Sequence, residues 1–143
     1  LFRPDPMLTR YEPERAPDPG RWLATSEAER NELCRRYHRR AGIRLPNEHV
    51  HAAIHGVVET QVAMGDETPA AATLQRLMGE GLTRHEAVHA IGTVLAGHMY
   101  RIMKGEHDAD EDPNPRYFQE LRELTADAWR AMAAEDDAED DDD

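Results

Sequence analysis

Helix-start signals and glycines divide this chain into short segments, and they constrain its fold more than any other feature. A helix-start signal is a side chain that accepts from the first backbone amides, often with proline next or glutamate three residues later. A glycine after such a segment favours the left-handed backbone that ends a helix. The starts are Ser26-x-x-Glu29, Asn47, Thr68-Pro69, Thr83-x-x-Glu86 and Asn114-Pro115, and the stops are Gly42, Gly65, Gly81 and Gly105.

The segments between these signals carry apolar residues every three or four positions, and none shows the alternation of a strand. We therefore predict an all-α fold, a single-domain bundle of about five helices over residues 26–134. A chain of 143 residues is long enough for one such core. Five prolines within residues 1–25 predict an irregular N-terminal arm. The acidic run at residues 135–143 predicts a disordered tail.

Charge and cysteine content limit the partners and the compartment. The net charge of −12 argues against a nucleic-acid partner, since no basic surplus is available for phosphates. The sequence has no run of 18 apolar residues, so we expect no membrane-spanning helix. Cys34 is the single cysteine and the N-terminus lacks a signal-peptide core, which together favour the cytoplasm. A protein partner or a second copy of the chain stays open.

Two pairs of histidines carry the chemistry of this sequence. His85 and His89 form the pattern H-E-x-x-H, and His51 and His55 repeat the same spacing about thirty residues earlier. Histidines four apart project from one face of a helix, so each pair can reach a single metal ion. We predict a divalent transition-metal site, with zinc as the first candidate, formed by these four residues. A polar histidine network without metal is an equal alternative.

A metal-dependent hydrolase is a second interpretation of the same pattern. H-E-x-x-H is typical of zincin metallopeptidases, in which the glutamate, here Glu86, acts as general base. Three observations weigh against it. Glu86 is also the partner of Thr83 in a capping box, position 95 holds leucine where metzincins have a third histidine, and no strand is available to align a peptide.

Residues near the histidines have weaker expectations. Glu59 lies one turn after His55 and is either a metal ligand, a partner of a ligand or a solvent-facing residue. Gln61 is a candidate hydrogen-bond partner of the histidines. Gly92 and Ala96 lack bulk, so another helix can approach closely there. Three of the other histidines, at positions 38, 98 and 107, share no spacing with the pairs, and we assign them no role.

These motifs are similar to those of the bacterial domain-of-unknown-function family eighteen-forty-one. The similarity covers residues 47–104 and rests on Asn47-x3-His51-x3-His55-x5-Gln61 followed by His85-Glu86-Ala87-x-His89-Ala90. This chain has Glu48 where the family has proline, and Gly97-His98 near the place of an acidic residue in the family. The resemblance implies a small helical bacterial protein whose four histidines form one site. It implies no activity.

The sequence thus predicts a small helical protein with a structural or regulatory metal site. A metal-free protein-interaction module is the first alternative, and the hydrolase is the second. A pocket that opens onto the metal favours the hydrolase, whereas a sealed four-ligand site argues against it.

Overall fold

The computed structural model describes residues 8–42, 47–105 and 112–141, with side chains as far as residue 134. Every regular element in these ranges is helical, which confirms the predicted all-α class. A short 3₁₀ helix, Gly65–Glu67, follows the third α-helix. The α-helices are α1 (Pro19–Ala24), α2 (Glu27–Arg40), α3 (Glu48–Ala63), α4 (Ala70–Gly79), α5 (Arg84–Met103), α6 (Asn114–Glu123) and α7 (Ala126–Asp141).

The predicted helix signals act as expected at most boundaries. The Ser26 hydroxyl accepts from the backbone N–H of Glu29, and the Asn47 side chain accepts from the third amide of α3. At α5 the capping box is complete in both directions. Two of the predicted glycine stops, Gly65 and Gly81, have φ values of 66° and 107°, a region in which other residues are strained. Local sequence therefore sets most of the helix boundaries.

The helix count differs from the prediction, because the described residues contain seven α-helices and not five. One additional helix, α1, lies inside the arm that we expected to be irregular. The Asp18 side chain caps it and Pro19 occupies its first position, where a missing N–H has no consequence. The other arises because the predicted last helix is interrupted. Leu124 adopts an extended backbone, and the Thr125 hydroxyl caps a new helix at the N–H of Ala128.

The tail also differs from the expectation of disorder, since α7 continues to Asp141. Alanine, the residue with the highest helix propensity, occupies positions 131, 133, 134 and 138 of this segment. The side chains from residue 135 onward lie outside the described part of the chain. The predicted division into an arm, a helical domain and a tail stays a prediction.

Helices α3 and α5 pack against each other, α1 and α2 cover α3, and α4 packs against both α3 and α5. The approach of α3 to α5 is close at Gly92, where a Cβ atom would lie 3.0 Å from Cγ2 of Ile54. The predicted close approach at this glycine is therefore confirmed. No described helix has the length and apolar character needed to cross a bilayer.

The buried apolar side chains form two clusters. The larger cluster contains residues of the five helices from α3 through α7 and includes Leu74, Leu77, Ile91 and Leu121. The smaller cluster joins the arm, α1, α2 and α3. Its members are Tyr11, Trp22, Leu33, Cys34 and Ala52. The predicted histidine pairs lie on α3 and α5, the two helices that contact most of the others.

Candidate metal centre

Five histidine side chains from three helices converge inside the protein. One comes from α2, two from α3 and two from α5. The centroids of neighbouring rings lie 4.5 to 5.6 Å apart. The five residues, called the histidine centre below, are His38, His51, His55, His85 and His89.

Four members of this centre are close enough together to bind one metal ion. One ring nitrogen from each of His38, His51, His55 and His89 lies within 4.8 Å of the other three. Three of the predicted ligands are thus brought together. The fourth, His85, lies outside this group of nitrogens, although its ring is 4.5 Å from that of His89.

His38 is the member that sequence reasoning missed. It is buried and lies one helical turn after Cys34, which is also buried. A signal was available, because Leu33 and Cys34 mark the inner face of α2 and the helical period carries that face to position 38. The residue was overlooked because it has no second histidine four positions away.

The hydrogen bonds of His38 fix its tautomer. Nδ1 of His38 lies 2.7 Å from the carbonyl oxygen of Cys34. A carbonyl oxygen only accepts, so Nδ1 carries the proton and Nε2 of the neutral ring carries the lone pair. A metal-binding histidine uses its second nitrogen in the same way, to donate to a carbonyl or a carboxylate.

Tyr11, from the N-terminal arm, fixes the tautomer of His55. The Tyr11 hydroxyl donates a short hydrogen bond to Oε2 of Glu59 and lies 3.3 Å from Nδ1 of His55. Burial raises the pKa of Tyr11 well above its ordinary value, so the hydroxyl keeps its proton. Since that proton goes to Glu59, the hydroxyl oxygen accepts from Nδ1–H of His55. Nε2 of His55 is therefore also a lone-pair nitrogen.

Glu59 is held by a buried ion pair. Its two carboxylate oxygens accept from the guanidinium of Arg84 at 2.7 and 2.8 Å, and both side chains are almost completely buried. Burial acts to lower the pKa of Arg84, but the hydrogen bonds and the charge of Glu59 outweigh it and raise that pKa overall. Arg84 therefore keeps its charge beside the Glu59 carboxylate. Among the expectations for Glu59, the structure supports a partner of a histidine, reached through Tyr11.

Four rings of the histidine centre favour the neutral form. Burial, followed by repulsion from neighbouring histidines, lowers the pKa of His51 to about 4 and that of His89 to about 3. Burial also lowers the pKa values of His55 and His85. At neutral pH each of these rings therefore has one protonated nitrogen and one nitrogen with a free lone pair. This neutral form is the one that binds metal.

The Nε2 atoms of all five rings are buried, and none has a hydrogen-bond partner within the described ranges. Leaving a buried acceptor unpaired costs about 1–3 kcal/mol. Hydrogen bonds between the rings would be one way to form a metal-free network, and the described residues make none at these atoms. A metal ion would satisfy several of these nitrogens at once, so the donor set fits a metal.

A pocket of about 200 Å³, open to solvent on one side, reaches the centre between α3 and α5. His51, His55 and His89 contribute to its wall, together with Ile54 and Gly92. The Nε2 atoms of the three rings are nevertheless buried. Solvent thus reaches the edge of the centre and not its metal-binding nitrogens.

Glu86 and Leu95, two positions that decide the hydrolase interpretation, lie away from the pocket. Oε1 of Glu86 accepts from the backbone N–H of Thr83 at 2.9 Å, so this carboxylate holds the start of α5. Glu86 is not among the residues that line the pocket. Leu95, at the position where metzincins have a third histidine, is buried in the larger apolar cluster.

The other candidates have separate surroundings. The side-chain oxygen of Gln61 accepts from the hydroxyl of Tyr117 at 2.7 Å, so this oxygen is not used by the histidine centre. His98 stacks on Tyr117 with ring centroids 5.1 Å apart. His49 is exposed on α3, and residue 107 lies outside the described ranges.

Comparisons of the chain with protein-family models, with curated proteins and with solved structures find no match. The resemblance to family eighteen-forty-one therefore stays an expectation, and the case for a metal site depends on the geometry of the histidine centre.

Proposed function

We propose that the protein binds one divalent transition-metal ion, with zinc as the first candidate, through His38, His51, His55 and His89. The ion has a structural role, because it joins α2, α3 and α5 at one point. The observation that carries the proposal is the convergence of four ring nitrogens within 4.8 Å, with buried Nε2 atoms that have no hydrogen-bond partner in the described part of the chain.

Zinc suits this donor set for two reasons. Imidazole nitrogen is a preferred zinc ligand, and structural zinc sites take four protein ligands in a tetrahedral arrangement. Two nitrogens bound to one tetrahedral zinc lie about 3.4 Å apart, by the usual Zn–N length of about 2.0–2.1 Å. The four nitrogens lie within 4.8 Å of one another, so zinc binding would draw them closer together.

The burial of the donor nitrogens favours a closed centre over a catalytic one. A catalytic zinc keeps one position for water or substrate, and the pocket beside His51 gives a limited route to such a position. The hydrolase is therefore the alternative proposal. It requires a general base other than Glu86, whose carboxylate caps α5.

The test is the zinc content and zinc affinity of protein prepared without a histidine tag. The parent is expected to bind close to one zinc per chain, measured by elemental analysis after dialysis and by competition with a chromophoric chelator. His38→Gln and His51→Gln each remove a ligand and are expected to weaken binding by at least about tenfold. His49→Gln is the matched control, since His49 is exposed two residues from His51, and it is expected to keep the parent affinity.

Two results would contradict this proposal in different ways. A folded parent that binds no divalent metal would remove the metal centre and favour the interaction module. Full zinc binding by His38→Gln, with loss in His85→Gln, would keep the metal and replace His38 by His85 in the ligand set.

A further inference from the structure

The N-terminal arm contacts α3 and α5 at the side of the histidine centre. The backbone carbonyl of Pro13 accepts from Nη1 of Arg84 at 2.8 Å. The Glu14 carboxylate accepts from the backbone N–H of His85 at 2.7 Å. Tyr11 is 1% exposed and belongs to the smaller apolar cluster. The arm is thus fixed by polar contacts to the helices that carry four of the five histidines.

A continuous chain of hydrogen bonds runs from this contact into the proposed ligand set. The Arg84 guanidinium donates to Glu59, the Tyr11 hydroxyl donates to Glu59, and Nδ1–H of His55 donates to that hydroxyl. Each member has one arrangement of its protons that satisfies the others. Removal of the Tyr11 hydroxyl leaves Nδ1–H of His55 without an acceptor and Glu59 with one donor fewer.

We propose that Tyr11 is a positioning residue for the metal ligand His55, and that docking of the arm and metal binding therefore strengthen each other. The inference rests on the proposed metal site. An ordered arm holds His55 in the tautomer and orientation that present Nε2 to the ion. In return, a bound ion fixes the His55 ring and with it the acceptor and donor geometry that Tyr11 requires. Linkage makes this coupling reciprocal, so that each event changes the other by the same factor.

The first test is the zinc affinity of Tyr11→Phe, measured by chelator competition. The substitution keeps the ring that packs between Trp22 and Tyr37, with ring centroids 5.7 and 6.1 Å away. It removes only the hydroxyl. Loss of a residue that orients a ligand typically weakens metal binding by 10–100-fold, and we expect a change in this range.

Tyr37→Phe is the matched control. Tyr37 is close to the same rings, with centroids 5.3 Å from His38 and 5.6 Å from His85, but it makes none of the described hydrogen bonds to Glu59 or His55. We expect it to keep the parent affinity. The visible spectrum of the cobalt-substituted protein gives a second readout, because a reoriented ligand changes the cobalt bands, whereas a change in global stability alone does not.

The second test uses the parent chain and needs no substitution in the centre. Arg15 is exposed in the arm, after the residues that contact α5, and trypsin cleaves after arginine. Cleavage at a transiently opened segment follows the population of the open form. Cleavage after Arg15, followed by mass spectrometry of the fragment from residue 16, is expected to slow at least tenfold when zinc is added. In Tyr11→Phe, saturating zinc is expected to slow it much less.

The results distinguish the positioning role of Tyr11, the coupling of the arm to metal binding, and the metal site itself. If the parent binds zinc while Tyr11→Phe binds it with equal affinity and an unchanged cobalt spectrum, the positioning role is wrong and the metal site stands. If zinc leaves cleavage after Arg15 unchanged in the parent, the coupling is wrong. If the parent binds no metal, the proposed function fails and this inference fails with it.

Discussion

The larger apolar cluster and the histidine centre are both buried, yet they contribute to the fold in opposite ways. In the apolar cluster, Leu74, Leu77, Ile91 and Leu121 are removed from water without polar atoms to satisfy, and burial of each leucine or isoleucine side chain contributes about 1.5–3 kcal/mol. In the histidine centre, five Nε2 atoms are removed from water and have no hydrogen-bond partner among the described residues, and an unpaired buried group of this kind costs about 1–3 kcal/mol.

The apolar cluster defines the fold, and the histidine centre is the region to which we assign the proposed function. The apolar cluster stabilises the packing of α3 to α7 under any solution condition that keeps the chain folded. The buried Nε2 atoms of the histidine centre, which have no partner among the described residues, destabilise the metal-free protein. Buried polar groups of this kind are often found where a protein binds something, and the proposed metal binding would recover the cost.

The largest effect is expected from breaking the buried ion pair. Arg84→Met leaves the carboxylate of Glu59 buried with the Tyr11 hydroxyl as its remaining described partner. Loss of one partner from a buried pair costs about 3–5 kcal/mol, and we expect this loss in the free energy of unfolding of the metal-free protein, measured in urea.

Arg36→Met is the control for that measurement. Arg36 pairs with Glu32 at 3.5 Å, with its side chain 53% exposed, and exposed pairs contribute less than about 1 kcal/mol. Equal losses in the two variants would show that the polar region is no more sensitive than the surface, and the contrast between the two buried regions would be lost.

A smaller effect per pH unit is expected from acidification, and it separates the two regions. The pKa of His51 is about 4 and that of His89 about 3 in the folded protein, against about 6.5 in an unfolded chain. Below about pH 6.5 the unfolded chain therefore binds protons that the folded protein does not. The stability of the metal-free protein falls as pH decreases toward 4, by up to about 1.4 kcal/mol per pH unit for each such imidazole.

This dependence of stability on pH is measured by urea unfolding of the protein in the presence of a metal chelator, between pH 7.5 and 4.5. Leu74→Ala removes apolar contacts and no titrating group. It is expected to lower the free energy of unfolding by about 2–5 kcal/mol, and this loss is expected to be the same at every pH. A His51→Gln, His89→Gln double variant is expected to have a shallower slope than the parent. An unchanged slope in that variant would show that these rings do not govern the pH dependence.

Local sequence predicted most of the helices because capping and termination act over three to five residues. Ser26, Asn47 and Thr83 cap the helices they were expected to cap. The interruption at Leu124 was missed, because the apolar stripe continues across it and Thr125 gives only a weak capping signal. Helix α1 was missed because the prolines around it outweighed the cap at Asp18.

The histidine pairs were visible in the sequence because a helix repeats its face every four residues, but their partners were not. His38 acts alone on α2. The contacts from Tyr11 to Glu59 and from Pro13 to Arg84 join residues 48 and 71 positions apart, and no local pattern reports such a contact. The sequence therefore predicted that a buried histidine site exists, while the helix packing determines which residues complete it.

The most direct measurement is anomalous diffraction at the zinc edge from crystals of zinc-loaded protein. The account predicts one anomalous peak per chain, bonded to Nε2 of His38, His51, His55 and His89 at about 2.0–2.1 Å, with Nδ1 of His55 still hydrogen-bonded to Tyr11. A peak that is bonded to His85 and not to His38 would contradict the ligand set. A histidine centre without any peak, in crystals grown with excess zinc, would contradict the metal centre itself.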